Sequence, residues 1–135
     1  ESLNNIDNGH FIQAVAPITN PDFITDESIV KVAVSSFNEA IYFSRSPVPY
    51  PQGQQNNIFY RCLGLYLYNQ TFLENYAGLE MSRLEQIELI EQLRVLENRI
   101  PIHTVIVDDD SFSVDTPDDL KTMQNIDISH FLDEM

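Results

Sequence analysis

Between Phe59 and Tyr68 the chain reads FYRCLGLYLY, an apolar and aromatic run broken only by Arg61 and Gly64. It is far shorter than the roughly 20 residues a membrane-spanning helix needs. So much apolar surface in an extended segment has to be covered on both sides, which predicts a central strand. Shorter runs surround it. Phe11 to Pro17, Ile29 to Val34, Ala40 to Phe43 and Ile100 to Val107 each read as strands. Ser35, Ser36 and Asn38 mark a turn that makes the second and third of these a hairpin. Asn20-Pro21 and the polar stretch to Ser28 read as loop, because the residue before proline disfavours helix. Residues 46–57, with Pro47, Pro49, Pro51 and Gly53, read as a proline-stiffened loop.

Helices fall between these runs. Asn69 to Tyr76 predicts a short one. Ser82 to Asn98 predicts a single long one: Ser82 and Glu85 form a capping box, and Leu84, Ile87, Ile90 and Leu93, with Leu89 and Leu96 beside them, make an apolar stripe. Thr116-Pro117-Asp118-Asp119 reads as another helix start, with Thr116 as N-cap. Strands alternating with helices in 135 residues predict one α/β domain of a mixed sheet flanked by helices.

Charge restricts the partners. Seven Lys and Arg face 21 Asp and Glu, a net charge of −14. That balance argues against nucleic acid and anionic membrane surfaces, which need a basic face. Residues 108–135 hold nine acidic residues and one Lys, a pattern expected of a solvated helical surface. Four glycines leave no glycine-rich phosphate cradle. The first residues lack the basic-then-apolar order of a signal peptide. Cys62 alone forms neither an internal disulfide nor a thiolate zinc site, and the expected compartment is the cytoplasm.

Three places could carry chemistry. Arg45 ends an apolar strand and opens the proline loop, where its planar fork could take a carboxylate or phosphate; it could equally be a surface arginine capping a strand. Glu85, Glu88 and Gln92 share one face of the predicted long helix, with Glu91 beside them. Such groups can accept hydrogen bonds from sugar hydroxyls, or simply form a solvated face balanced by Arg83 and Arg94. Asp115, just before a helix start, could hold a hard cation such as Mg²⁺ or favour the helix dipole. His10, His103 and His130 show no metal spacing, and His103 and Cys62 read as packed strand residues. Asn69-Gln70-Thr71 matches a glycosylation sequon, of little weight without a secretory signal.

Taken together, these segments carry a resemblance. Ala40 to Pro51 (AIYFSRSPVPYP) resembles a motif of the 3-deoxy-manno-octulosonate cytidylyltransferases, or CMP-Kdo synthetases. Arg61-Cys62-Leu63-Gly64-Leu65-Tyr66 is similar to that family's Arg/Lys-His-x-Gly-x-Tyr strand. Ser82-Arg83-Leu84-Glu85 with Glu91-Gln92-Leu93-Arg94 is similar to its Ser-Pro-Leu-Glu and Glu-Gln-Leu-Arg helix. Val114 to Leu120 resembles its Val-Asp-Thr-Pro-Glu-Asp-Leu segment, and Val30-Lys31-Val32 its Val-Lys-Val strand. The resemblance implies a partial Rossmann-like, GT-A-like nucleotidyltransferase fold. It covers about the C-terminal half of the family's enzyme, the sugar-binding and dimerisation half. The N-terminal phosphate loop, Pro-Ala-Arg-x-x-Ser-x-Arg-Leu-Pro-Gly-Lys, and the Gln-Gly-Asp-Glu-Pro segment are not in this sequence.

What the resemblance implies is a reaction in which the 2-hydroxyl of an acidic eight-carbon sugar attacks the α-phosphorus of CTP. Pyrophosphate leaves and a CMP-sugar forms for lipopolysaccharide or capsule. Carried over residue by residue, Arg45 would pair with the sugar carboxylate, Cys62, Tyr66, Glu91 and Gln92 would line the sugar pocket, and Asp115 would hold Mg²⁺. A homodimer is implied as well. Three positions depart from the pattern: Cys62 replaces the family's His, Ser113 its Gly and Arg83 its Pro. Two other readings stand beside this one, a non-catalytic binding or assembly module and a cytidylyltransferase for another acidic sugar. The 135-residue chain is expected to release no pyrophosphate from CTP and 3-deoxy-manno-octulosonate in a coupled pyrophosphate assay, because no residue present can cradle a triphosphate; measurable release would refute this.

Overall fold

The apolar runs pair into one sheet. The computed structural model describes residues 11–52, 58–108 and 117–124. Within them lie β1 (Phe11–Pro17), α1 (Asp22–Thr25), β2 (Lys31–Val34), β3 (Ala40–Ser44) and β4 (Tyr60–Tyr68). Then come α2 (Gln70–Ala77), α3 (Arg83–Glu88), α4 (Gln92–Glu97), β5 (Ile102–Ile106) and α5 (Pro117–Gln124). The strand order is β3-β2-β4-β1-β5. β1 runs antiparallel to β4 and parallel to β5, so the sheet is mixed, as expected. β2 and β3 form the predicted hairpin. Ser35 Oγ closes its turn by accepting from the backbone N–H of Glu39 at 3.1 Å.

One face of the sheet holds the core. Phe11, Val15, Val32, Phe43 and Ile102 from the strands pack against Phe72 of α2, Ile90 before α4, and Leu93 and Val95 of α4. Alternation along the strands turns other side chains to the opposite face. Leu67 pairs with Ile12 and Val105 with Ala14 on that face, and both are exposed among the described residues. The expectation that β4 is central holds for its place in the sheet but not for its burial, because its second half, from Gly64 to Tyr68, is exposed.

β4 is also irregular. Gln13 is opposite Tyr66 and Val15 opposite Cys62, so Leu63, Gly64 and Leu65 face Ala14 alone. This is a bulge, a feature that re-aims side chains at the price of ladder bonds. No described atom lies within 4 Å of where a Cβ on Gly64 would stand. The glycine is therefore not explained by a close approach of the described backbone.

Two segments differ from expectation. Residues 22–25, read as loop, make one helical turn opened by Pro21, whose lack of an N–H costs nothing there. The long helix predicted over Ser82 to Asn98 is broken in two. The capping box forms as predicted, with Ser82 Oγ accepting from the Glu85 N–H and Glu85 Oε2 from the Ser82 N–H. Leu89 then takes the left-handed conformation, φ 55°, ψ 47°, and ends α3. The cause is tertiary. The Glu88 carboxylate accepts from Ser44 Oγ at 2.7 Å, the Arg45 N–H at 3.0 Å and Tyr42 Oη at 3.3 Å. Arg45 Nε in turn donates to the Glu88 carbonyl at 2.9 Å. Those bonds replace the helical ladder at this point. The apolar stripe is split accordingly: Ile90 and Leu93 are buried, whereas Ile87 and Leu89 are exposed.

A leucine in the left-handed region costs about 1 kcal/mol, and glycine relieves it. Leu89→Gly is therefore expected to raise stability by about 0.5–1 kcal/mol in urea unfolding. An unbroken helix would give the opposite sign, a loss of about 1 kcal/mol for a mid-helix glycine.

Candidate functional site

The break in the helix places Glu91 and Gln92 at the start of α4, over the core face of the sheet. There they border an open pocket of about 190 Å³. Phe11 of β1 and Tyr66 and Tyr68 of β4 line the sheet side; Phe72, Leu73 and Tyr76 of α2 and Val95 of α4 supply the rest. The rings form a connected wall. Phe11 stacks on Phe72 at 5.3 Å between centroids, Phe72 on Tyr76 at 5.8 Å, and Phe11 lies 5.9 Å from Tyr66.

Chemically the pocket offers an apolar floor with a polar edge. Burial pushes the Tyr66 phenol above its ordinary value, and the Glu91 carboxylate and the Cys62 thiol add to the effect. The shift takes Tyr66 further from ionising, so the phenol remains a hydrogen-bond donor well above neutral pH. Burial also pushes the Cys62 thiol up to about 12, so it is neutral and no nucleophile. Glu91 is exposed at the rim and Gln92 is buried beneath it. The edge thus combines a phenol O–H with a carboxylate and an amide, a set that matches hydroxyl groups.

Of the residues singled out in the sequence, Tyr66, Glu91 and Gln92 meet in this pocket, and Cys62 lies close enough to Tyr66 to influence its titration. Arg45 is not among the lining residues. Its guanidinium donates to the backbone carbonyls of Glu88 at 2.9 Å, Glu27 at 2.8 Å and Leu89 at 3.4 Å. Glu85 and Glu88, expected on the same face as Gln92, turn elsewhere, Glu88 to β3 and Glu85 to Arg94. Asp115, with Ser113, Val114 and Thr116, lies outside the described residues. Among the described residues no group of three or more His, Cys, Asp or Glu is placed to hold a metal ion. No helix among them is long and apolar enough to cross a membrane. Asn69 of the sequon caps α2, its Oδ1 accepting from the Phe72 N–H at 2.8 Å. His103 Nδ1 stands 3.8 Å from Glu39 Oε1.

Two residues were missed in the sequence. Gln13 is fully buried and bonded to Gln92 at 3.1 Å; the available signal was a lone amide inside an apolar strand. Arg94, read only as charge balance, joins the pocket's outer walls. It grips Glu85 with two bonds of 2.7 and 2.6 Å, donates to the Leu79 carbonyl at 3.2 Å, and sits 5.1 Å over the Tyr76 ring.

That pair sets an acid limit. The Arg94 hydrogen bonds hold the Glu85 carboxyl below its ordinary value of 4.5, against the opposing effect of burial. A carboxylate depressed in the folded state contributes stability in full above its unfolded value and loses it as pH falls through the folded one. Thermal melts of the wild type are expected to drop as pH falls below about 4.5. Glu85→Gln, less stable at neutral pH, is expected to lose less over the same range, and parallel curves would remove Glu85 from acid unfolding.

Known proteins resemble this chain in sequence and in fold. A family model described as "Cytidylyltransferase" matches residues 1–106. The chain is 43% identical over 113 residues to the 3-deoxy-manno-octulosonate cytidylyltransferase of Thermodesulfovibrio yellowstonii, covering 79% of this chain and 44% of that protein. It is 37% identical over 131 residues to the protein of the same name in Acidobacterium capsulatum, covering 87% and 54%. Among solved structures, CMP:2-keto-3-deoxy-manno-octonic acid synthetase complexed with CTP superposes with a TM-score of 0.78 at 33% identity, over 93% of this chain and 50% of that one. The chain thus spans about half the length of the relatives it matches.

Proposed function

Since this chain belongs to the cytidylyltransferase family, we propose that it supplies the sugar-binding side of an enzyme that couples an acidic eight-carbon sugar to CMP. The sugar is 3-deoxy-manno-octulosonate, its 2-hydroxyl attacks the α-phosphorus of CTP, and pyrophosphate leaves. The product serves lipopolysaccharide or capsule assembly. The observation that carries this reading is the convergence of Tyr66, Glu91 and Gln92, from separate segments, on one pocket. Tyr66 donates to a sugar oxygen, while Glu91 and Gln92 accept from hydroxyls. The aromatic floor takes the C–H faces of the sugar and keeps water from competing.

Arg45 is the proposed partner of the sugar carboxylate. Its backbone bonds use three of the five N–H groups of a guanidinium, which leaves two for a ligand among the described residues. Magnesium would offset the charge that develops on the phosphates, with Asp115 as one ligand; support for that is the Val114-Asp115-Thr116-Pro117 motif alone. A homodimer and a cytoplasmic setting, where CTP is available, belong to the same reading. Cys62 in place of the family's histidine favours, as a second reading, a sugar that differs from 3-deoxy-manno-octulosonate where that side chain would touch it.

The test is a titration of the chain with 3-deoxy-manno-octulosonate and related acidic sugars, followed by NMR. Shifts at Tyr66, Glu91 and Gln92 are expected. Arg45→Ala is expected to weaken binding by about 2–4 kcal/mol, the scale for losing one member of a charged pair. Unchanged affinity in that variant removes Arg45 from the site. No shift at the three pocket residues with any acidic sugar overturns the reading.

A further inference from the structure

The pocket's polar edge depends on a residue that does not line it. Gln13 projects from β1 into the core face and is fully buried. Its Nε2 lies 2.7 Å from the Leu63 carbonyl, 2.9 Å from the Ala14 carbonyl and 3.4 Å from the Leu65 carbonyl. Leu63 and Leu65 belong to the bulge of β4, where the ladder to β1 is interrupted. Carbonyl oxygens on that side accept only a donor, so the NH₂ end of Gln13 is fixed there without ambiguity. Its Oε1 must then point the other way, where it meets Gln92 Nε2 at 3.1 Å. With one Gln92 N–H given to Gln13, the amide oxygen of Gln92 is turned away from Gln13, on the side of the pocket that Gln92 lines. An unsatisfied buried acceptor at Gln13 or a lost donor at Gln92 would be the cost of reversing either group.

We propose that Gln13 is a positioning residue of this site: its carboxamide sets the orientation of the Gln92 amide, so that the Gln92 Oε1 atom is presented to the pocket beside Glu91. The same carboxamide braces the bulge that leads into Tyr66, so one buried group aligns both flanks of the pocket's polar edge. Two adjacent acceptors select ligands that bring O–H groups and disfavour a carboxylate at this position. That directs the acidic end of the ligand away from this wall. The ligand part of the inference rests on the sugar-binding reading; the orientation of Gln92 does not.

The experiment uses the ¹⁵N-labelled chain and the variants Gln13→Met, Gln92→Met and the double variant. In the wild type the side-chain NH₂ protons of Gln92 are expected to show nuclear Overhauser effects to the Gln13 methylenes and slow solvent exchange; absence of both overturns the proposal, whether or not any variant folds. In Gln13→Met the Gln92 amide signals are expected to move to those of a free carboxamide. Titration with 3-deoxy-manno-octulosonate is expected to show binding weakened about five- to tenfold by Gln13→Met, the scale of one hydrogen bond. In the Gln92→Met background the same change is expected to add less than about twofold, because the two act through one contact. An equal loss in both backgrounds means that Gln13 is scaffold only and sinks the proposal. If the wild type binds no acidic sugar, the sugar-binding reading fails, while the amide signals still decide the link between Gln13 and Gln92.

Discussion

Everything near the pocket follows from where Glu88 is held. Its carboxylate is taken by the end of β3 and its carbonyl by Arg45, and α3 ends there. The chain reverses at Leu89 and starts again as α4. That restart buries Ile90 and Leu93 and brings Glu91 and Gln92 over β1 and β4. A continuous helix would keep the spacing of its polar residues but direct Gln92 and Glu85 to one shared surface. Here Glu85 serves Arg94 and Gln92 serves Gln13. A local charge–backbone junction at the edge of the sheet therefore determines a pocket built at its middle.

Local patterns made much of this legible. The strands, the β2–β3 hairpin, the Ser82 capping box and the mixed α/β architecture are written in short-range signals: apolar runs, turn residues and a polar side chain three positions from its partner. Tyr66, Glu91 and Gln92 were visible as a family pattern, and the geometry brings them together. What stayed illegible was decided by contacts between distant segments. The helix break is one case, since nothing near Leu89 is a glycine or proline and its cause sits in residues 42–45. The bulge in β4 is another, because its unpaired carbonyls are satisfied by a side chain some 50 positions away in sequence. Arg45 is a third: a strand-end arginine looks like a ligand group, and here it also donates to three backbone carbonyls.

The pocket's chemistry rests on keeping its groups neutral or acceptor-bearing. Burial and the nearby carboxylate push the Tyr66 phenol further from ionising, and burial does the same for the neighbouring Cys62 thiol. Neither adds charge to an apolar floor, where an unpaired ion would be costly. The charged groups, Glu91 and Arg45, stand at exposed or half-exposed positions instead. Under the proposed sugar-binding reading, such a division would place a ligand's hydroxyls and C–H faces in the pocket and its ionic end outside it.

Arg94 gives this arrangement a mechanical character. One guanidinium fastens the start of α3 through Glu85, the Leu79 carbonyl that follows α2, and the Tyr76 ring of α2 itself. Because Arg94 stands on α4, its contacts tie that helix to α2 and α3, so loosening any of the three costs contacts made by the same side chain.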